Sequence, residues 1–193
     1  MGTDVIILVR HGKPALSRKV QLDWRGYREW WKLYDAGGLA DEQKMPPKVA
    51  AYAKEADIVI SSPLPRAVES AVLARGSAPD MTDKDLVEAS LPPPHLGSLT
   101  FRPKTWGTFA RICWWCGWTD EMESHESAKK RSELMATKLE DHAKGGKMVF
   151  VTAHGWYNRM LKGRLKNRGW KCVFQNGDLH WSYRRFERIT DEG

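Results

Sequence analysis

Four short stretches of this 193-residue sequence carry side chains that could do chemistry together. The apolar run at 5–9 breaks into Arg10, His11 and Gly12. A second apolar run at 57–62 leads through Ser61, Ser62 and Pro63 to Arg66. A third, at 147–153, ends in His154 and Gly155, and Glu88 closes the shorter run at 85–89. Two histidines, two arginines and one carboxylate therefore sit at the ends of strand-like segments. Arginine offers a planar fork of donors matched to phosphate oxygens. Arg66 and His154 are placed at helix starts, where free backbone N–H groups also favour an anion. A neutral histidine is a competent nucleophile, and clustered positive charge keeps it neutral. A glutamate can protonate a departing oxygen and later activate water. The set points to phosphoryl transfer through a phosphohistidine. No metal is expected, because Arg10 and Arg66 would repel a cation held between His11 and His154. Taken singly, each group has a plainer reading: His11 as a capping residue, Arg66 and Glu88 as solvated surface.

The elements that must position these groups follow from the hydrophobic pattern. Residues 5–9, 57–62 and 147–153 read as buried strands by length and β-branched content, and 85–89 as a shorter one. Helices are expected over 23–34, 47–56, 63–76, 119–143 and 156–165, and a half-exposed final strand over 178–189. Strands alternating with helices predict an α/β three-layer sandwich, with a mostly parallel central sheet covered on both faces. Ligands in such sheets bind beyond the carboxyl ends of the strands. The reading is one domain over 1–193, with insertions at about 17–45 and 90–118 forming a cap. The second insertion is rich in proline, glycine and aromatics and reads as irregular.

The formal net charge of +7 favours anionic partners. The basic segment 159–171 suits a solvated helix face better than a nucleic-acid surface. No apolar run approaches a membrane span, and the N-terminal run reads as a strand rather than a leader. Three cysteines do not suggest a disulfide framework, so a cytoplasmic location is expected. Cys113 and Cys116 form a C-x-x-C with no second pair for zinc, and a redox role is set aside. Of the remaining histidines, His125 and His142 are expected to be solvated, His95 to pack a loop, and His180 to face outward on the last strand. Ten tryptophans are unusual. Trp106, Trp114, Trp115 and Trp118 are read as a substrate lid opposite Trp24, Trp30 and Trp31, the alternative being packing within the insertion itself.

"LVRHGKP", "SSPLPRAVESA" and "VFVTAHGWYNRML" together resemble three signatures of the histidine phosphatase superfamily, also called phosphoglycerate mutase-like. "DLVEASLPPPHLGSL" is similar to its acid-bearing segment. The resemblance implies that His11 is the transiently phosphorylated nucleophile. It also implies that Arg10, Arg66 and His154 hold the phosphoryl oxygens, and that Glu88 is the general acid and then the base. Gly12 would free space beside the nucleophile. Lys13 stands where relatives often have an acid or amide, and Glu69 and Asp85 are the fallback acids. The expected activity is phosphomonoester hydrolysis of a phosphorylated small or amphipathic substrate, with no cofactor. The alternatives are a phosphomutase, or a non-catalytic phospho-ligand or nucleic-acid binder. Oligomeric state is not legible.

Overall fold

The computed structural model describes residues 2–190, with the side chain of residue 190 left aside. Its elements in chain order are β1 (Gly2–Arg10), α1 (Trp24–Ala36), α2 (Pro47–Glu55), β2 (Ile58–Ser61), α3 (Pro65–Arg75) and β3 (Met81–Thr82). They continue with α4 (Pro103–Trp115), α5 (His125–Ala143), β4 (Met148–Ala153), α6 (Gly155–Asn167), β5 (Lys171–Gln175) and β6 (Tyr183–Thr190). The sheet order is β3-β2-β4-β1-β6-β5. The four strands from β3 to β1 are parallel, and β6 and β5 extend the sheet antiparallel.

The unbroken apolar run in β1 exists because the strand is covered on both sides. Ile6 and Leu8 pack with Met135, Leu139 and Leu161 of α5 and α6. Val5, Ile7 and Val9 pack with Val49, Ala53 and Ala71 of α2 and α3. Alternate residues of one strand thus feed two cores, as the two-residue period of a strand requires. Burial of each such side chain contributes about 1.5–3 kcal/mol before entropy is counted.

Four expectations are corrected. Residues 85–89 are not a strand: a 3-10 turn occupies Lys84–Leu86, where Asp83 caps the Asp85 amide, and the edge strand is the two-residue β3. The 90–118 segment contains α4, started by Pro103 in its first turn, a position where the missing N–H costs nothing. The last strand begins at Tyr183, because Trp181 adopts φ 62° and ends any extended run from 178. Finally, β5 lies within a stretch assigned no element, and its mostly exposed residues leave little hydrophobic signal.

The two insertions build an aromatic layer of their own. Tyr27, Trp30 and Tyr34 of α1 pack with Trp106 of α4. Trp106 Nε1 donates to the Leu22 carbonyl at 2.6 Å, and Leu22 and Phe101 form an antiparallel bridge. Among the described residues, no helix is long and apolar enough to cross a membrane.

Candidate active site

Strand register brings the two histidines together. Arg10 pairs with Ala153 across the β1–β4 ladder, so the next residues, His11 and His154, emerge side by side. Their ring centroids are 5.2 Å apart. Ser61 pairs with Thr152 on the other side of β4, which places Ser62 beside His154. Arg66 enters from the first turn of α3. Of these groups Arg10, His11 and Arg66 line a cavity of about 440 Å³ whose remaining walls come largely from α1, α4 and the start of α6, while His154 and Ser62 are fully buried behind them.

The hydrogen bonds assign both tautomers. His11 Nδ1 lies 2.7 Å from the Gly12 carbonyl. A carbonyl only accepts, so Nδ1 carries the proton and Nε2 is left with its lone pair. His154 Nδ1 lies 3.4 Å from Arg66 Nη2, which only donates, so the proton sits on Nε2 facing Ser62 Oγ at 2.8 Å. Burial is the main force holding both imidazoles well below their usual pKa. For His11, the neighbouring His154, Arg66 and Arg10 act in the same direction, against the Gly12 carbonyl. For His154, Arg66, Arg10 and Arg131 add to it.

Each arginine is held by one end and free at another. Arg66, buried, donates to the Tyr34 carbonyl at 2.9 Å and to Asp35 at 3.0 Å, and it stacks over the Tyr34 ring. Arg10 Nη1 donates to the Asp178 carbonyl. Among the described residues, the Nε atoms of Arg10 and Arg66 are buried donors without an acceptor. The guanidinium of Arg10 lies against Gly155, where an added Cβ would sit 3.1 Å from Cζ. Gly12 has the same kind of reason: its missing Cβ leaves room for Gln43 and for Trp181, whose ring would stand 2.8 Å away. The space beside His11 is therefore filled by Trp181 rather than left open.

Glu88 lines the cavity from the chain after the 3-10 turn. Its carboxylate accepts the Tyr157 amide at 2.9 Å, the Trp156 amide at 3.1 Å and the Ala89 amide at 3.0 Å. The fallback acids lie elsewhere. Glu69 accepts the Leu39 amide at 2.6 Å, and Asp85 pairs with Lys138 at 2.8 Å.

The tryptophans divide. Trp30 and Trp31 of α1 and Trp115 of α4 line the cavity, joined by Trp156 of α6. Trp106 and Trp114 are fully buried: Trp106 in the aromatic layer, Trp114 against Ala89 and Ala128. Trp118 lies beside His95 on a separate surface crevice, and His95 stacks on Trp24 at 3.9 Å.

Sequence reasoning passed over several cavity residues. Arg18, Lys104, Arg111 and Arg159 all line it, making the cavity strongly cationic. Arg111 had a visible signal, a lone charge amid the aromatics of "TFARICWW". His180 had none that strand alternation could supply. It sits in the turn before β6, not outward on a strand, with its ring 5.7 Å from His11. Burial lowers its pKa to about 4, with help from Arg10 and Arg18.

No curated protein sequence matches the chain significantly. Solved structures do. A mycobacterial glucosyl-3-phosphoglycerate phosphatase in complex with VO3 superposes with TM-score 0.60 at 17% identity, over 94% of this chain and 92% of that one. A protein described as mycobacterial hydrolase 1 gives TM-score 0.58 at 16% identity, over 96% and 92%. A phosphoserine phosphatase mutant from Entamoeba histolytica, in complex with phosphoserine, gives 0.54 at 15%, over 97% and 95%. At these identities the likeness concerns the fold. The family is carried by the sequence itself: the model of the histidine phosphatase superfamily (branch 1) matches residues 6–181, and the chain belongs to that superfamily.

Proposed function

We propose that the protein is a phosphomonoester hydrolase that works without a metal, through a phosphohistidine on His11. The observation that carries this reading is the tautomer of His11. Its Nδ1–H is spent on the Gly12 carbonyl, so the lone pair of a buried, neutral imidazole is left on Nε2 beside two guanidinium groups. That is what nucleophilic attack on phosphorus requires.

In the first half-reaction, His11 Nε2 forms the N–P bond as the bond from phosphorus to the ester oxygen breaks. Arg10 and Arg66 turn their free Nε–H donors to the phosphoryl oxygens, whose charge they stabilise from fixed positions. His154 packs behind His11 with its ring 5.2 Å away, and an incoming dianion raises its proton affinity and recruits it as a further donor. Glu88 gives its proton to the departing alcohol oxygen. In the second half-reaction, Glu88 takes a proton from water as the water oxygen attacks phosphorus, which releases phosphate and restores His11. The arginines supply the positive charge that a metal would otherwise bring. The aromatic wall of Trp30, Trp31 and Trp115 suits an alcohol with an apolar part. The three cysteines are free thiols, in keeping with a reducing cytoplasm.

The test is a phosphate-release assay on p-nitrophenyl phosphate and a panel of phosphomonoesters, with acid quenching to trap phosphoprotein. Wild type is expected to turn over in EDTA and to yield acid-labile phosphate. His11→Ala is expected to do neither while keeping its melting temperature. Wild-type rates in His11→Ala would refute the mechanism, and loss of activity in EDTA, restored by one divalent ion, would refute metal independence.

A further inference from the structure

The sheet brings a third imidazole to the nucleophile. β1 lies between β4 and β6. His11 follows β1 and His154 follows β4, which runs parallel to it. β6 runs antiparallel to β1, so the turn that leads into it, with His180, stands at the same end of the sheet. The ring centroids of His154 and His180 lie 5.2 and 5.7 Å from that of His11. The mechanism above uses the first two histidines and gives His180 no duty.

The turn that carries His180 is held from both sides. Trp181 adopts φ 62°, a left-handed conformation that a bulky side chain takes only where its surroundings impose it. Its N–H reaches the Arg10 carbonyl at 3.2 Å and the His11 carbonyl at 3.4 Å, and its Nε1 donates to Gln43 at 2.9 Å. Before His180, the Asp178 carbonyl accepts from Arg10, and the Asp178 carboxylate pairs with Arg159 and Arg184. Backbone strain thus fixes an imidazole beside the nucleophile.

His180 Nε2 is buried and, among the described residues, has no hydrogen-bond partner. A buried polar atom in that state is unfavourable until a ligand completes it. Burial, with the charges of Arg10, Arg18 and Lys13, holds the ring neutral. The carboxylate two residues away, Asp178, is taken up by its two arginines. In such cationic surroundings the ligand that fits is an anion. A neutral imidazole meets an anion by carrying its proton on Nε2, which adds no charge to the pocket. We propose that His180 Nε2–H donates to a non-bridging oxygen of the phosphoryl group carried by His11. The phosphoryl group is then met from the β6 side of β1, across the strand from His154. No proton is transferred in this contact. It rests on the hydrolase reading and deepens it.

The test compares wild type with His180→Phe, which keeps a ring but has no nitrogen, and with His180→Gln, whose amide nitrogen reaches the place of Nε2. The readouts are kcat/KM on p-nitrophenyl phosphate, inhibition by orthovanadate, and melting temperature. His180→Phe is expected to lose about 10- to 100-fold in kcat/KM and in vanadate affinity, the effect of one hydrogen bond to a charged group. His180→Gln is expected to recover a large part of both. A folded His180→Phe with wild-type values overturns the proposal. So does an equal loss in His180→Phe and His180→Gln, because a ring that only packs is not replaced by an amide. If His180→Phe does not fold, His180→Asn takes its place, since its amide stops short at the position of Nδ1. If wild type hydrolyses no phosphomonoester, the hydrolase reading fails, and calorimetric binding of inorganic phosphate decides the contact separately. Weaker binding by the variant than by wild type supports it. Equal binding, or none by wild type, overturns it.

Discussion

Glu88 caps the helix that His154 begins. Its Oε1 accepts the Tyr157 amide at 2.9 Å, whereas His154 at the N-cap of α6 makes no capping bond with its own side chain. One carboxyl group thus serves a helix terminus and faces the cavity, and substitutions separate the two duties. Glu88→Gln keeps an oxygen for the amides but cannot exchange a proton. Turnover of alkyl phosphates is expected to fall by about 10²–10⁴-fold and that of p-nitrophenyl phosphate far less. Glu88→Ala loses the cap as well, with about 0.5–2 kcal/mol of stability. Melting curves alongside kinetics on both substrates would check this. Equal loss on both substrates in Glu88→Gln would remove Glu88 as the acid.

The buried histidines are expected to set the acid limb of activity and of stability. With the His11 pKa held well below 6.5, kcat/KM is expected to stay level through pH 6.5 once substrate ionisation is corrected, and to fall only at lower pH. An enzyme half-inactive at pH 6.5 would contradict this. For stability, unfolded histidines take up protons near pH 6.5 while folded His11, His154 and His180 do not. The unfolded state therefore binds more protons below that pH, and stability falls as pH drops from about 6.5 towards each folded pKa. For His180 that end lies at about 4. Each fully buried histidine contributes at most about 1.4 kcal/mol per pH unit within its window. His11→Gln should give a visibly shallower decline in melting temperature between pH 7 and 5.

Gly12→Ala is expected to destabilise by packing rather than by backbone strain. The new methyl would meet Gln43 Oε1 and lie 2.8 Å from the Trp181 ring. Gln43 is held by bonds to the Lys13 amide and carbonyl and to the Ala40 carbonyl, and Trp181 is 2% exposed with its Nε1 donating to Gln43. Overpacking of this kind costs about 1–3 kcal/mol, readable in urea denaturation midpoints. An unchanged midpoint would mean that Trp181 has room to move.

Adjacent tryptophans on α4 should behave in opposite ways. Trp114 is fully buried, with Nε1 donating to the Glu123 carbonyl at 2.7 Å, and Trp114→Ala is expected to cost about 3–5 kcal/mol. Trp115 is 50% exposed on the cavity wall, 5.2 Å from the Trp156 ring. Trp115→Ala is expected to leave the melting temperature nearly unchanged and to raise KM for phosphates with an aromatic alcohol. The reverse pattern would show that Trp115 only packs.

Much of this was legible in the chain because strand ends are local events. An unbroken apolar run followed by a histidine and a glycine needs no tertiary information to mark β1 and β4 as buried strands. The register then delivers His11 beside His154 because both follow paired residues. Element boundaries failed where local signals were weak. Residues 85–89 looked like a strand from apolar content, but the Asp83 side chain offers the backbone a competing hydrogen bond and winds it into a turn.

What the sequence by itself determined is the family, the buried strands β1, β2 and β4 and the groups that follow them, since each is written in contiguous residues. What only the tertiary structure decided is which distant side chains complete the cavity. Arg111 and Trp156 line it from α4 and α6 and His180 approaches His11 from the turn before β6, while Trp106, Trp114 and Trp118 turn away from it. The physical reason is that a helix shows its neighbours one residue in three or four. On α4 the packing of Trp106 and Trp114 against their own layers rotates Arg111 and Trp115 towards the cavity, and no local pattern of aromatics says which face that will be.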